Sequence, residues 1–194
     1  MAQLFLPFAT KGKLIELRAI DIKSEHGFGP YEAIHPIELA NRMRVGIVAA
    51  EWFDRLPVDL RTSLLGEYSR TWSAGSITVD GMLHVLANAE HSEARRTITL
   101  LEDLVHEALG HPKSQLIVQD GVAMRTCRHD VEDEAYAVAA ALVMPYRDLF
   151  NHINAGRPLA DLPVPAPVST ECRLFRVKRA GLWKLHIARE QHHP

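Results

Sequence analysis

Apolar residues recur at helical spacing between Ser92 and Leu109, with Ile98, Leu101, Leu104, Val105 and Ala108 along one stripe. Gly110 and Pro112 follow where a helix should stop. A second helix is predicted from about Asp130 to Val143, with Asp130 as N-cap and Pro145 beyond its end. Its alanines 135, 137, 139, 140 and 141 permit close packing against a neighbour. Two hairpins obey one rule: β-prone runs Ser76–Val79 and Met82–Ala87 flank Asp80-Gly81, and Gln115–Gln119 and Val122–Cys127 flank Asp120-Gly121. An Asp-Gly pair supplies the positive φ angles of a two-residue turn. Pro36 sits where a first helical turn tolerates it, and the helical spacing continues through IELANRMRV. Pro57 to Tyr68 is a further candidate helix, interrupted by Gly66, while residues 24–35 read as a loop. Four prolines between Gly156 and Pro167 predict a semi-rigid connector to a partly helical tail, Ser169–Glu190.

Composition narrows the class. The 194 residues, 47% of them hydrophobic, suffice for one domain with a substantial core. Lys and Arg number 22 against 24 Asp and Glu, so direct nucleic-acid or anionic-membrane binding is not expected. The tail is locally basic (Arg173, Arg176, Lys178, Arg179, Lys184, Arg189) and reads as a solvated face. Two cysteines, Cys127 and Cys172, cannot form a disulfide framework and fit a reducing, cytoplasmic setting. The N-terminal segment has no basic region before its apolar run, so no signal peptide is expected, and no stretch is apolar enough to span a membrane.

The chemistry centres on His106. The hexapeptide HEALGH places its second histidine five positions on, about 140° around an unbroken helix and off the face of the first. The i+4 position is Gly110, which has no side chain. Read backwards, Glu102 lies at i−4 on the face of His106, and Asp103 follows it, giving an E-D-x-x-H pattern. Glu102 then replaces a first histidine ligand, and Asp103 stands where a general-base glutamate belongs, one methylene shorter. Glu132 is the candidate third ligand, because Ala135 and Ala139 on its face allow that helix to approach; Glu134 points elsewhere. His111 is a rival metal ligand if Gly110 turns the chain back. An i,i+4 Glu–His pair is also common on helix surfaces, so spacing alone leaves a metal site and a solvated face both open.

In four places the chain resembles the ImmA/IrrE metallopeptidase-like family: LHVLAN with RRTITLLEDLVH (83–88, 95–106), the motif helix with LGHPKSQL (109–116), EDEAYAVAAALVMP (132–145) and VSTECRLFRVKRAGL (168–182). Where the family carries H-E-L-x-H, this chain has Glu102-Asp103-Leu104-Val105-His106. The resemblance implies an α+β, zincin-like domain with a small antiparallel sheet packed on the active-site helix. Residues 1–155 would form it, with the connector and basic segment 156–194 packed on the same domain. It implies zinc as cofactor, bound by Glu102, His106 and Glu132, while the −2 charge of the two carboxylates favours a binding role or a harder metal such as Mn²⁺. Asp103 would be the base of peptide hydrolysis, acting on a regulatory protein such as a helix-turn-helix repressor. Strand Met82–Ala87 is expected to hold an extended substrate through a free edge. The alternative is a catalytically inactive zincin-fold module that grips a regulatory protein or peptide. Trp52, Trp72 and Trp183 read as core or half-buried packing, Cys127 and Cys172 as non-nucleophilic, and His192 and His193 as a loose tail.

Overall fold

Helix α5 (His129–Val143) is the axis of the molecule, because its alanine-rich run lets neighbours approach from several sides. From Ala137 to Val143 every residue is at most 1% exposed. The computed structural model describes residues 4–48, 52, 54, 57–62, 66, 72–112, 116–119, 122–125 and 128–191, and its architecture is the expected mixed α+β. Before α5 come α1 (Thr10–Glu25), α2 (Pro36–Met43), β1 (Gly46–Val48), α3 (Val58–Thr62), β2 (Ala74–Val79), β3 (Met82–Ala87), α4 (Glu93–Ala108), β4 (Leu116–Gln119) and β5 (Val122–Arg125). After it come α6 (Tyr146–Asn154), a 3-10 turn at Leu159–Asp161, α7 (Thr170–Arg179) and α8 (Trp183–Glu190). Helices α1, α4 and α7 all pack on α5.

The first hairpin forms as its turn residues require. Asp80 and Gly81 take φ of 50° and 76°, and Val79 pairs with Met82 across the turn. Strand β1 then adds to β3 in parallel, giving the order β1-β3-β2. The pairing needs Gly46, since a Cβ there would lie 2.3 Å from Cδ2 of His84. Strands β4 and β5 pair antiparallel as a separate ribbon. The second Asp-Gly turn, Gln115, Cys127, His192 and His193 lie outside the described residues. So does most of Pro57–Tyr68 beyond α3.

Three expectations need correction. Asp130 is not the N-cap of α5; Arg128 holds that position, and its guanidinium Nη2 donates to Asp130 Oδ2 at 2.8 Å from outside the first turn. The basic tail is not simply a solvated face, because Arg176 is fully buried and Arg173 is 9% exposed. Arg173 donates to the carbonyls of Leu159 and Leu162, at 3.1 and 2.9 Å, and so clamps the proline-rich connector onto α7. Trp52 and Trp183, expected as core or half-buried packing, are 37% and 38% exposed and lie at the surface.

Helix α1, which the apolar pattern does not announce, is fastened by buried charge. Glu16 accepts from the Tyr146 backbone N–H at 2.9 Å and from Arg176 Nη2, whose Nε donates to the Met144 carbonyl at 2.9 Å. Nearby Lys23 is fully buried, and its Nζ has no hydrogen-bond partner among the described residues. Burial pushes its ammonium down to about pKa 8, against the pull of Glu16. Replacing Lys23 by Met should therefore stabilise the protein at pH 7 by something on the order of 3 kcal/mol. Between about pH 8 and the ordinary lysine pKa near ~10.4, the unfolded chain keeps a proton that the folded one has lost, so wild-type stability rises with pH there. Urea unfolding of both proteins across this range should show the advantage of Lys23→Met complete below pH 8 and shrinking above it. A difference independent of pH would contradict this.

Candidate metal centre

Ser92 opens α4 by accepting the Arg95 N–H at 3.3 Å, and Ile98, Leu101, Leu104 and Val105 bury its apolar stripe. Glu102, Asp103 and His106 stand at the border of that stripe and are half-buried. Helix α5 packs on α4, and its fully buried Ala135 and Ala139 share a face with Glu132, in the first turn of α5. Glu102, His106 and Glu132 converge: each offers a ligand atom, and these atoms all lie within 4.8 Å of one another. No other such group exists among the described residues.

The donor types suit a zinc ion, and the His106–Glu132 pair has the spacing for one. His106 Nε2 lies 3.5 Å from Glu132 Oε2, longer than an ordinary N–H···O bond. Two donors on one tetrahedral ion, each at ~2.0–2.2 Å, are separated by roughly 3.4 Å. A neutral imidazole nitrogen and carboxylate oxygens are zinc ligands, and the two carboxylates balance a dication. Glu102, His106 and Glu132 would hold it.

His111 is brought back toward His106 but not into the group. Gly110, at φ 63°, turns the chain so that the His111 N–H reaches the His106 carbonyl at 2.9 Å and the Gly110 N–H reaches that of Glu107 at 3.1 Å. This is a Schellman end, and it overrides the 140° separation of an unbroken helix. The His111 ring faces His106 through Nδ1 and Glu134 through Nε2. Asp103 lines the same cleft as the three converging residues, and Glu107 is exposed at its wall.

That cleft has a volume of about 460 Å³ and runs beneath Trp72, Ser73, Ala74, Ser76 and Leu83. The expectation that Met82–Ala87 offers a free edge is wrong, since β3 lies between β1 and β2 and has both sides paired. The edge beside the cleft belongs to β2, a position that hairpin rules alone could not fix. A further cavity of about 450 Å³ lies across Glu102, bounded by Arg95, Tyr136, Ser169 and Cys172. Burial pushes the Cys172 thiol up to about 11, so it stays protonated at neutral pH and is no nucleophile. No helix among the described residues is long and apolar enough to cross a membrane.

A peptidase family model described as the IrrE N-terminal-like domain matches residues 66–177. The match takes in β2, β3, α4, α5 and most of α7, and so all the converging side chains. Neither a curated protein nor a solved structure matches the chain. With this match spanning more than half its length, the chain belongs to the IrrE N-terminal-like, ImmA/IrrE family of zincin-like metallopeptidases.

Proposed function

We propose that this protein is a zinc-dependent metallo-endopeptidase that cleaves a regulatory protein, a helix-turn-helix repressor being the expected class. The observation that supports the reading most is the convergence of Glu102, His106 and Glu132 from two helices on one cleft. Zinc bound there would supply Lewis acidity toward a carbonyl oxygen and would acidify water. Two carboxylates beside one imidazole also suit a harder ion, so Mn²⁺ is the alternative metal. Asp103 takes the proton of the attacking water, and the β2 edge holds an extended substrate segment by main-chain hydrogen bonds. The scarcity of cysteine, with Cys172 a buried free thiol, suits a reducing cytoplasm.

Asp103 is the residue whose substitution tests the chemistry. Its carboxylate is one methylene shorter than the glutamate of the usual motif, which retracts it from the proton it must take. Asp103→Glu is therefore expected to raise cleavage of a candidate repressor, and Asp103→Asn to lower it by ~10²–10⁴-fold with zinc content unchanged. Full cleavage by Asp103→Asn would remove Asp103 from this role and leave Glu107 to be tested next. Zinc binding without cleavage by either the wild type or Asp103→Glu would favour the second reading, a zincin-fold module that grips a regulatory protein without cutting it.

A further inference from the structure

His111 lies outside the converging group, yet it is not idle. Its Nδ1 is 3.0 Å from Nδ1 of His106, while its Nε2 is 3.4 Å from Oε2 of Glu134. Glu134 in turn pairs through Oε1 with Nε of Arg18 on α1. The His111 ring is 9% exposed, and the two imidazoles meet edge to face with centroids 5.0 Å apart. Four residues from three parts of the chain thus form one line ending on the His106 nitrogen that does not face Glu132.

The hydrogen positions in that line follow from one condition. Two neutral imidazoles facing each other through Nδ1 share a single proton, so one ring donates and the other accepts. If Nε2 of His106 presents its lone pair to an ion, the His106 proton must sit on Nδ1, and His111 must accept it. The His111 proton is then forced onto Nε2, where the Glu134 carboxylate accepts it. Arg18 holds that carboxylate. With the opposite arrangement, bare Nε2 of His111 would face the Glu134 carboxylate, two acceptors 3.4 Å apart.

We infer that His111, backed by Glu134 and Arg18, is a positioning residue that fixes the ring orientation and tautomer of His106 for metal binding. The inference rests on the zinc reading given above. It also explains the spacing of HEALGH, since the Gly110 turn delivers an imidazole to the back of the ligand rather than to the metal. Partners of this kind raise ligand basicity and hold the ring, and their loss typically weakens metal binding ~10–100-fold.

The test is zinc affinity, measured by competition with a chelating dye, for the wild type, His111→Leu and His111→Asn. Metal-free melting curves are recorded alongside. Leu removes the acceptor and should weaken zinc binding ~10–100-fold, with the metal-free melting temperature little changed. Asn offers an amide oxygen near the position of Nδ1 and should recover most of the loss, a rescue that mere space-filling does not predict. Should His111→Leu fail to fold, the Asn variant and the histidine tautomers decide. Long-range nitrogen-15 spectra of the zinc-loaded wild type should show the His111 proton on Nε2. Equal affinity in His111→Leu, no rescue by Asn, or a His111 proton on Nδ1 would each overturn this inference while leaving the zinc reading standing. A wild type that binds no zinc would overturn the zinc reading and this inference with it.

Discussion

His106→Ala should weaken zinc binding by more than ~100-fold while leaving the protein folded. His106 is 21% exposed at its side chain and borders the cleft, so its removal opens no large cavity in the core. The loss exceeds that expected for His111, because a directly bonded donor is removed rather than its support. Glu132→Ala on α5 and Glu102→Ala on α4 should have the same consequence, since the three ligand atoms lie within 4.8 Å of one another and no fourth residue joins them among the described residues. By contrast, His111→Ala should retain one zinc per chain at reduced affinity. Stoichiometric zinc in Glu102→Ala together with none in His111→Ala would mean that His111, not Glu102, is the third ligand. Equilibrium dialysis with metal analysis of the four variants separates these cases.

The second large effect concerns the fold. Arg176→Met should destabilise the protein by about 3–5 kcal/mol, read from urea unfolding at pH 7. Arg176 is fully buried and joins three elements: Glu16 of α1, the Met144 carbonyl at the end of α5, and its own helix α7. Removing it leaves Glu16 with the Tyr146 N–H at 2.9 Å and no guanidinium. A buried carboxylate deprived of its cation costs far more than a surface pair, whose loss is worth about 1 kcal/mol or less. The double variant Glu16→Leu with Arg176→Met should recover most of the loss, because neither charge is then stranded. A change below ~1 kcal/mol for the single variant would show that the pair carries little of the packing.

The contrast between these sites explains what could be read from the chain and what could not. Helix α4 was legible because a continuous apolar stripe specifies one buried face, and α5 because an alanine-rich run closed by Pro145 specifies a helix that neighbours can cover on several sides. The β2–β3 hairpin was legible because Asp80-Gly81 carries the turn in its own chemistry. Helix α1 was hidden because its inward face includes Glu16 and Lys23, which a polarity pattern assigns to solvent. Arg173 and Arg176 were hidden for the same reason within a basic run: Arg173 binds backbone carbonyls of the connector, which no charge pattern marks, and Glu16 is 160 residues away from Arg176. The free edge was misplaced because β1 is three residues long and reaches β3 from 38 positions upstream, Gly46 against His84.

At the site, the i,i+4 relation of Glu102 and His106 follows from helix geometry, and Glu132 from the small face it shares with Ala135 and Ala139. Glu134 stands outside the converging group. Its engagement with His111 and Arg18 depends on a tertiary meeting of α1, α5 and the end of α4, and no local spacing encodes that.

The central claim is that two carboxylates and one imidazole share a single ion, and zinc-edge X-ray absorption on the stoichiometrically loaded wild type tests it most directly. One zinc per chain is expected, with a single imidazole in the scattering shell and oxygen donors at ~2.0–2.2 Å. A chain that takes up no zinc, or a shell containing two imidazoles, would contradict it.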